Sequence, residues 1–186
     1  MMQEMFMSAA RPFYHSADVL ELNAIDAEKY VPFVVGHFEA TNRHIDASDV
    51  KRVYDLFNGH TFYIQKTFNE SFADTREGEV CTLDTIRTAI NNIIASNDTI
   101  FREILSNIPE KQKELLYAIA KDGKAEQITS AEFIKRHRLT SASSVQSATK
   151  KLLEKDIITE RNKVYSLNDK LFAMWINKLY GNTTML

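Results

Sequence analysis

The sequence predicts a mainly α-helical protein, in which a bundle of helices is followed by a smaller unit of three helices and a β-hairpin. Apolar residues recur at helical spacing between residues 26 and 105. From Pro109 onward, three further helical patterns precede two short β-prone runs around a tight turn. The chain has 186 residues, of which 44% are hydrophobic and 26% charged, so it has a globular composition and enough length for one core or two small ones.

Residues 1–25 are expected to be the end of a larger domain. The pattern predicts a short helix over residues 2–8, a break at Arg11-Pro12 and a β-prone run over residues 19–22. A lone strand leaves its backbone groups without partners, and nothing before Ile157 offers a convincing second strand. We therefore expect the rest of this sheet to lie upstream, with residues 1–25 as the C-terminal remnant of a core domain.

Residues 26–108 predict a compact all-α bundle of four helices. Asp26 is the expected N-cap of the first helix. The apolar face of this helix comprises Tyr30, Phe33, Val34 and Phe38. The second helix is expected to open at Asp46 or Ser48 and to end at Asn58-Gly59, a pair typical of helix C-termini.

The third and fourth helices complete this bundle. The third begins at about His60, and a polar loop follows over residues 74–79. The fourth helix is the longest, because it begins at Thr82 or Asp84 and continues without a break to Leu105. Its apolar face comprises Ile86, Ile90, Ile93, Ile94, Ile100, Phe101, Ile104 and Leu105. We expect these side chains to form the core with the aromatic residues.

Residues 109–180 have the element order of a winged helix-turn-helix domain. Pro109 lies in the first turn of a helix that stops at Gly123. Thr129 is expected to cap a short second helix, with Glu132 as its capping-box partner. The further elements are a turn over residues 139–141, a third helix, strands over residues 157–160 and 163–167, a last helix over residues 168–180 and a tail over residues 181–186. Three helices followed by a hairpin is the winged-helix order.

The two halves of the chain carry opposite net charges. Residues 1–108 hold 9 Lys+Arg against 16 Asp+Glu, a net charge of -7. Residues 109–186 hold 14 Lys+Arg against 9 Asp+Glu, a net charge of +5. The basic half indicates an anionic partner or, alternatively, a basic solvated face.

Composition and motifs exclude several classes of protein. The single cysteine, Cys81, cannot form an intramolecular disulfide, so we expect a cytoplasmic protein. No apolar run approaches the roughly 20 residues that cross a bilayer, so no membrane partner is expected. The five glycines never form a P-loop, and the five histidines include no HExxH motif. We predict no catalytic residue and no metal site, and the chain by itself is not expected to be an enzyme.

The third helix of the winged unit has a composition suited to DNA. Its exposed positions are predicted to be Ser143, Ser144, Gln146, Ser147, Lys150 and Lys151, and the hairpin turn adds Arg161, Asn162 and Lys163. Glutamine can pair with adenine, serine accepts several partners, and lysine or arginine contacts phosphates. The alternative is that the winged unit binds a protein, a use about as frequent as DNA binding for this fold.

Three segments resemble one known family. They are EMFMSAARPFY at residues 4–14, DAEKYVPFVVGHFEATNRHID at residues 26–46 and LFNGHTFYIQ at residues 56–65. Together they are similar to the C-terminal portion of the prokaryotic AAA+ or STAND-type ATPases called the archaeal ATPase family. The resemblance implies a P-loop domain upstream, a helical lid over residues 26–108 and a winged helix, with ATP or ADP and Mg²⁺ bound by the parent protein.

The same resemblance assigns residues to the nucleotide. Arg11 becomes a candidate arginine finger, and the alternative is a solvated arginine before a proline. Gly59, His60 and Thr61 match a lid motif of Gly, His and Pro that lies against the nucleotide, and Thr61 replaces the proline whose φ is fixed. The alternative for Gly59-His60 is a helix C-cap followed by the next helix start.

Two functions remain open from the sequence. The first is a lid and winged-helix region that couples the ATP or ADP state to binding of DNA or a protein partner. The second is a free-standing DNA-binding transcription regulator, in which residues 26–108 form a sensor or dimerisation bundle.

Overall fold

A computed structural model describes residues 24–180, which form nine helices and five short strands. The predicted mainly α-helical fold with a small β-hairpin is confirmed. The expected helix over residues 2–8, the β-prone run over residues 19–22, Arg11 and the tail over residues 181–186 lie outside the described residues. Within residues 24–180, no helix combines the length and the apolar character that a membrane span requires.

Four helices form the bundle: α1 (Ala27–Glu39), α2 (Ala47–Leu56), α3 (Thr61–Asp74) and α4 (Leu83–Ser96). For α2 and α4, the first of the two predicted start residues is the N-cap. Asp46 Oδ1 accepts a hydrogen bond from the Ser48 amide at 2.7 Å, and Thr82 Oγ1 accepts one from the Thr85 amide at 3.2 Å. Asp26 occupies the N-cap position of α1 without a side-chain hydrogen bond. The helix starts therefore follow the sequence pattern.

The core side of α1 is narrower than predicted. Tyr30, Val34 and Phe38 are buried, as the helical spacing predicts. Phe33 is 55% exposed, and its ring stacks on His37 at 5.1 Å between centroids. The prediction that Phe33 lies on the core face is wrong, because its side chain stays more than half exposed beside α2 and β1, the described elements that pack on α1.

The bundle also contains two short strands. His44–Ile45 (β1) pairs in parallel with Val80–Cys81 (β2). These strands, which the sequence did not predict, pair with each other, and the expectation that residues 19–22 have no partner before Ile157 concerns residues outside the described part of the chain. Strands of two residues cannot show an alternation of apolar and polar positions, so periodicity does not reveal them. Their pairing fastens the α1–α2 connection to the α3–α4 connection.

The predicted fourth helix is broken into two. α4 ends at Ser96, and α5 (Asp98–Ser106) follows after Asn97. Asn97 Nδ2 donates a hydrogen bond to the Ile93 carbonyl at 2.7 Å, and such side-chain bonds compete with the helix for backbone partners. After the break Phe101 is buried, whereas Ile100 and Ile104, expected on the same apolar face, are 55% and 37% exposed.

The remaining elements are α6 (Glu110–Asp122), β3 (Ala125–Glu126), α7 (Ala131–His137), α8 (Ala142–Glu154), β4 (Ile158–Arg161), β5 (Val164–Leu167) and α9 (Lys170–Leu179). The strands form an antiparallel sheet in the order β3-β5-β4. Helix α6 begins after Pro109 and ends at Gly123, as predicted. Strand β3 is not predicted from the sequence, and it adds a third strand to the expected hairpin.

The predicted cap of α7 is displaced by one residue. Ser130, and not Thr129, is the N-cap, because Ser130 Oγ accepts a hydrogen bond from the Phe133 amide at 3.1 Å. The third residue after this cap is Phe133, so the expected capping box with Glu132 does not form. Helix α7, the second helix of the winged unit, has 7 residues.

Helix α5 packs against α9 through aromatic rings. Phe101 lies 5.3 Å from Phe172 and 5.7 Å from Trp175 between ring centroids. Trp175 Nε1 donates to Asp98 Oδ1 at 2.8 Å, and Arg102 Nε donates to Asp98 Oδ2 at 2.7 Å. We call these five residues the aromatic joint. It ties α9 to a helix on the bundle side of the predicted domain division, which stays a prediction.

Candidate functional site

Helix α8 exposes most of the residues predicted to contact DNA. Ser143, Gln146, Ser147, Lys150 and Lys151 are exposed. Ser144 is half-buried, and its amide donates to the N-cap Ser141 Oγ at 3.2 Å. The opposite face buries Val145, Ala148, Thr149 and Leu152. The helix therefore presents a polar stripe to solvent, with Ser144 at the edge of that stripe.

The two lysines of this stripe differ in their surroundings. Lys151 Nζ lies 2.8 Å from Glu154 Oε2, and this hydrogen bond lowers the pKa of the glutamate. Lys150 makes no hydrogen bond or ion pair with any residue that the structure describes. The Lys150 ammonium therefore has no direct partner among the described residues, although its positive charge also helps to lower the pKa of Glu154.

A two-residue turn forms the tip of the hairpin. Asn162 and Lys163 both have positive φ, 53° and 64°, as in the type I′ turns that suit the twist of a hairpin. The strand pairs on either side start with Arg161 opposite Val164. The wing is therefore short, and its tip consists of polar and basic residues.

The two basic residues of the hairpin, Arg161 and Lys163, line clefts on opposite sides of the wing. Lys163 lines a groove of about 640 Å³ together with Gln146 and Lys150 of α8. Arg161 lines a different cleft, on the side of the sheet that faces the bundle. The predicted DNA-contacting set is therefore divided: the structure brings Lys163 to α8 and places Arg161 away from it.

The cleft beside Arg161 lies between the wing and the start of α3. We call it the basic cleft. It has a volume of about 970 Å³ and contains Gly59, His60 and Thr61 in its bundle wall. The outward face of the sheet supplies the opposite wall, including Thr159, Arg161, Val164, Ser166 and Glu126. Lys124 and Lys170 complete its basic lining.

Backbone geometry explains the glycine of the predicted lid motif. Gly59 has a φ of 73°, and a Cβ at this position would lie 2.8 Å from Tyr54 Oη and 2.9 Å from Ala24 Cβ. The Gly59 amide donates to the Tyr54 carbonyl at 3.0 Å, which completes the C-terminal cap of α2. This geometry favours glycine at position 59 independently of any nucleotide.

The residues after Gly59 connect the cleft to the winged unit. His60 precedes the first turn of α3, and its ring stacks on Tyr63 at 4.6 Å. Tyr63 Oη donates a hydrogen bond to Asp169 Oδ2 at 2.8 Å, and Asp169 Oδ1 accepts one from the Phe172 amide as the N-cap of α9. Burial and this hydrogen bond raise the pKa of Tyr63. We call the bond between Tyr63 and Asp169 the Tyr63 contact.

Among residues 24–180, no group of three or more His, Cys, Asp and Glu side chains is arranged so that it could hold a metal ion. Arg11, the candidate arginine finger, lies outside the described residues. Lys124 and Lys170 were not singled out from the sequence, because only the fold brings α9 and the α6–β3 connection to one cleft.

The helix order, the three-stranded sheet and the α8–wing groove define a winged helix-turn-helix domain. Residues 99–178 match the family model described as a probable winged helix domain. Comparison with curated proteins finds no significant match to the chain. A winged-helix domain indicates a regulatory role through binding of DNA or protein, and the match supports this broad statement. The matched segment begins at the second residue of α5, in agreement with the packing of this helix on α9.

Proposed function

We propose that the chain is the lid and winged-helix region of a AAA+ or STAND-type ATPase, and that it converts the ATP or ADP state into altered binding of DNA or a protein partner. One observation carries this proposal. The segment that resembles the nucleotide-facing lid motif opens α3, and the first turn of α3 contacts the N-cap of α9 through Tyr63 and Asp169. A displacement of Gly59, His60 and Thr61 would therefore move the Tyr63 side chain, which is hydrogen-bonded to Asp169 of the winged domain.

The start of α3 has groups that suit a phosphate. The amides of Thr61 and Phe62 make no hydrogen bond with any described residue, as is typical of the first turn of a helix. Mg²⁺ would need several carboxylate or water ligands, and Glu126 is the sole acid among the residues that line the basic cleft. The proposal therefore assigns Mg²⁺ to the P-loop domain of the parent protein.

The proposed mechanism is a rigid-body movement of the bundle relative to the winged domain. The aromatic joint buries Phe101 and Trp175 and would hold during this movement. The Tyr63 contact is a single hydrogen bond beside an open cleft, so it would break and reform at lower cost. The nucleotide state would then determine how accessible the winged domain is to DNA or a protein partner.

The proposed DNA surface is the polar stripe of α8 with the tip of the wing. Gln146, Lys150 and Lys163 line one groove, where glutamine can pair with a base and the lysines can contact phosphates. Arg161 is on the other side of the sheet. We therefore expect Lys163→Ala to weaken DNA binding several-fold and Arg161→Ala to leave it within about twofold.

Fluorescence anisotropy with a random duplex, at low and moderate salt, tests this output. The Lys150→Ala/Lys151→Ala variant should bind about tenfold more weakly and with a smaller salt dependence. Its matched control is Lys29→Ala/Lys51→Ala, which removes two exposed lysines from α1 and α2. Absence of binding to the wild-type protein at low salt would contradict a DNA output and leave a protein partner.

The nucleotide part is tested in the longer protein that contains the P-loop domain. ATP and ADP should bind there, and they should give different affinities for the partner. A longer protein that binds neither nucleotide would remove the ATPase proposal.

The charge distribution favours a second candidate, a free-standing DNA-binding transcription regulator with the bundle as a sensor or dimerisation unit. Residues 1–108 carry a net charge of -7 and residues 109–186 a net charge of +5, so the basic half alone would approach DNA. The two candidates differ in one measurement. The regulator predicts DNA affinity that is independent of ATP and ADP, whereas the ATPase predicts a nucleotide-dependent affinity.

A further inference from the structure

The basic cleft holds three cationic side chains that come from separate elements of the winged domain. Lys124 lies between α6 and β3, Arg161 ends β4, and Lys170 begins α9. None of these side chains makes a hydrogen bond or ion pair with any residue that the structure describes. Among the described residues that line the cleft, Glu126 is the sole acid. The positive charge of the cleft is therefore not neutralised by the described part of the chain.

Lys170 differs from the other two cations in its surroundings. Its side chain is half-buried, whereas Lys124 and Arg161 are exposed. Lys170 is also the first residue of α9, and the start of a helix disfavours a positive charge. Burial, and then the positive charge of Lys124, lower the pKa of Lys170. At neutral pH, a larger fraction of Lys170 is therefore the neutral, nucleophilic amine than for an ordinary lysine.

The acidic groups around Lys170 do not form an ion pair with it. Asp169 precedes it in the chain, but the two carboxylate oxygens of Asp169 are engaged in the Tyr63 contact and in the cap of α9. Glu126 lies in the same cleft without a salt bridge to Lys170. His60, at the bundle edge of the cleft, would add positive charge when protonated. The charged groups near Lys170 therefore leave its amine accessible to a reagent.

The cleft combines the two features that an anionic acyl donor requires. The Lys170 amine is a nucleophile for an electrophilic carbonyl carbon. The unpaired Lys124 ammonium and Arg161 guanidinium attract an anion, and a guanidinium suits the paired oxygens of a phosphate group. The volume of about 970 Å³ admits a small reagent, and the exposed Phe62 ring and Val164 give an acyl chain apolar surface to contact. An acyl phosphate has both the carbonyl and the anion.

We propose that Lys170 is a site of covalent acylation by a small acyl phosphate. Lys170 first loses its ammonium proton to water, and the neutral Nζ then forms a bond to the carbonyl carbon. The bond between that carbon and the phosphate oxygen breaks, and the phosphate leaves with the electron pair and takes the second proton that the nitrogen loses. The products are an amide on Lys170 and inorganic phosphate. Lys124 and Arg161 would hold the phosphate group during the transfer.

Acylation would remove the charge of Lys170 from the cleft. The modified side chain would adjoin Asp169, so its charge state would alter the electrostatics beside the Tyr63 contact. This proposal rests on the described residues of the cleft and does not depend on an ATPase parent or on DNA binding. It therefore goes beyond the proposed function and fails or stands separately from it.

Mass spectrometry of the 186-residue chain after incubation with millimolar acetyl phosphate tests the proposal. Lys170 should be acetylated at least about fivefold faster than two control lysines in the same sample. Lys66 is also half-buried but lies on α3 outside the cleft, and Lys150 is an exposed lysine of α8. The rate at Lys170 should level off at a pH below the ordinary lysine pKa of 10.5.

Variants and an uncharged reagent separate the two features of the site. Lys124→Gln should slow acetylation of Lys170 several-fold with either acetyl phosphate or the uncharged acetate ester of N-hydroxysuccinimide, because it removes the charge that disfavours the ammonium. Arg161→Gln should slow only the reaction with acetyl phosphate. Lys151→Gln, which removes a charge from α8, should leave both rates at Lys170 within about twofold. Circular dichroism checks that each variant is folded before the rates are compared.

Three outcomes would overturn the proposal. The first is acetylation of Lys170 by acetyl phosphate that is no faster than that of Lys66. The second is a rate at Lys170 that neither Lys124→Gln nor Arg161→Gln changes. The third is a preference for Lys170 with the uncharged ester that is absent with acetyl phosphate, because the amine would then be reactive without recruiting an acyl phosphate.

Discussion

Two of the contacts between the winged domain and the helices before Pro109 differ in kind. The aromatic joint is closed, since Phe101 and Trp175 are 3% and 4% exposed and Trp175 also donates to Asp98. The Tyr63 contact is one hydrogen bond at the edge of the basic cleft. Separating buried aromatic rings costs several kcal/mol, about 3–5 for the loss of one such ring, whereas one hydrogen bond contributes a net free energy of only about 1 kcal/mol. In the proposed movement, the aromatic joint would therefore serve as the pivot and the Tyr63 contact would open.

The largest expected effect is at the aromatic joint. Trp175→Ala should lower the free energy of unfolding by about 3–5 kcal/mol, because it removes a buried ring between two phenylalanines and leaves Asp98 without one donor. Urea unfolding followed by circular dichroism measures this. Leu179→Ala, in the same helix at a position 45% exposed, is the control and should cost less than about 1 kcal/mol. If both variants lose the same free energy of unfolding, the aromatic joint does not stabilise the protein more than an exposed position of the same helix does.

A smaller effect is expected at the edge of the basic cleft. Gly59→Ala should lower the free energy of unfolding by about 2–4 kcal/mol, because it combines a left-handed φ with a close approach to Tyr54. Gly78→Ala is the matched control, since Gly78 has a φ of 82° and open space around its Cα. Chemical denaturation of both variants separates the two causes. If the two variants lose the same free energy, crowding at Gly59 is absent.

The Tyr63 contact should matter less than either site. Tyr63→Phe should cost about 0.5–1.5 kcal/mol, the net value of one hydrogen bond. Asp169→Ala should cost about 1–3 kcal/mol, because Asp169 also caps α9. In a double-mutant cycle, Tyr63→Phe should add little to Asp169→Ala. Full additivity of the two changes would show that the residues do not interact.

The smallest effect is a dependence on pH. The hydrogen bonds from Arg102 and Trp175 lower the pKa of Asp98, so the folded state favours its charged form. A lowered pKa stabilises the protein above the unfolded value near 4, and this contribution is lost as the pH falls through the folded value. The stability difference between wild type and Asp98→Asn should therefore shrink between about pH 5 and pH 2. A difference that stays constant over this range would contradict the shift.

The bundle and the winged domain were predictable to different depths. Helical spacing located the core residues of α1 to α4 and the caps at Asp46 and Thr82, because these signals are local. The break at Asn97 was not predictable, since its side-chain bond competes with a pattern that continues through Ile100 and Ile104.

The candidate site shows the same limit. The polar stripe of α8 follows from the sequence, but the separation of Arg161 from Lys163 depends on which face of a strand each residue occupies. The basic cleft needs three distant segments to meet, and no local pattern contains that information. Short strands and clefts between elements are therefore the features that the sequence could not reveal.

The attachment of α5 to α9 has a consequence for how such domains are exchanged between proteins. A winged module transplanted from Pro109 would leave Phe172 and Trp175 facing water, whereas one cut at Asn97 would carry Phe101 and Asp98 with it. A transplanted segment that keeps these contacts buried would therefore begin at α5, one helix before the helix-turn-helix itself.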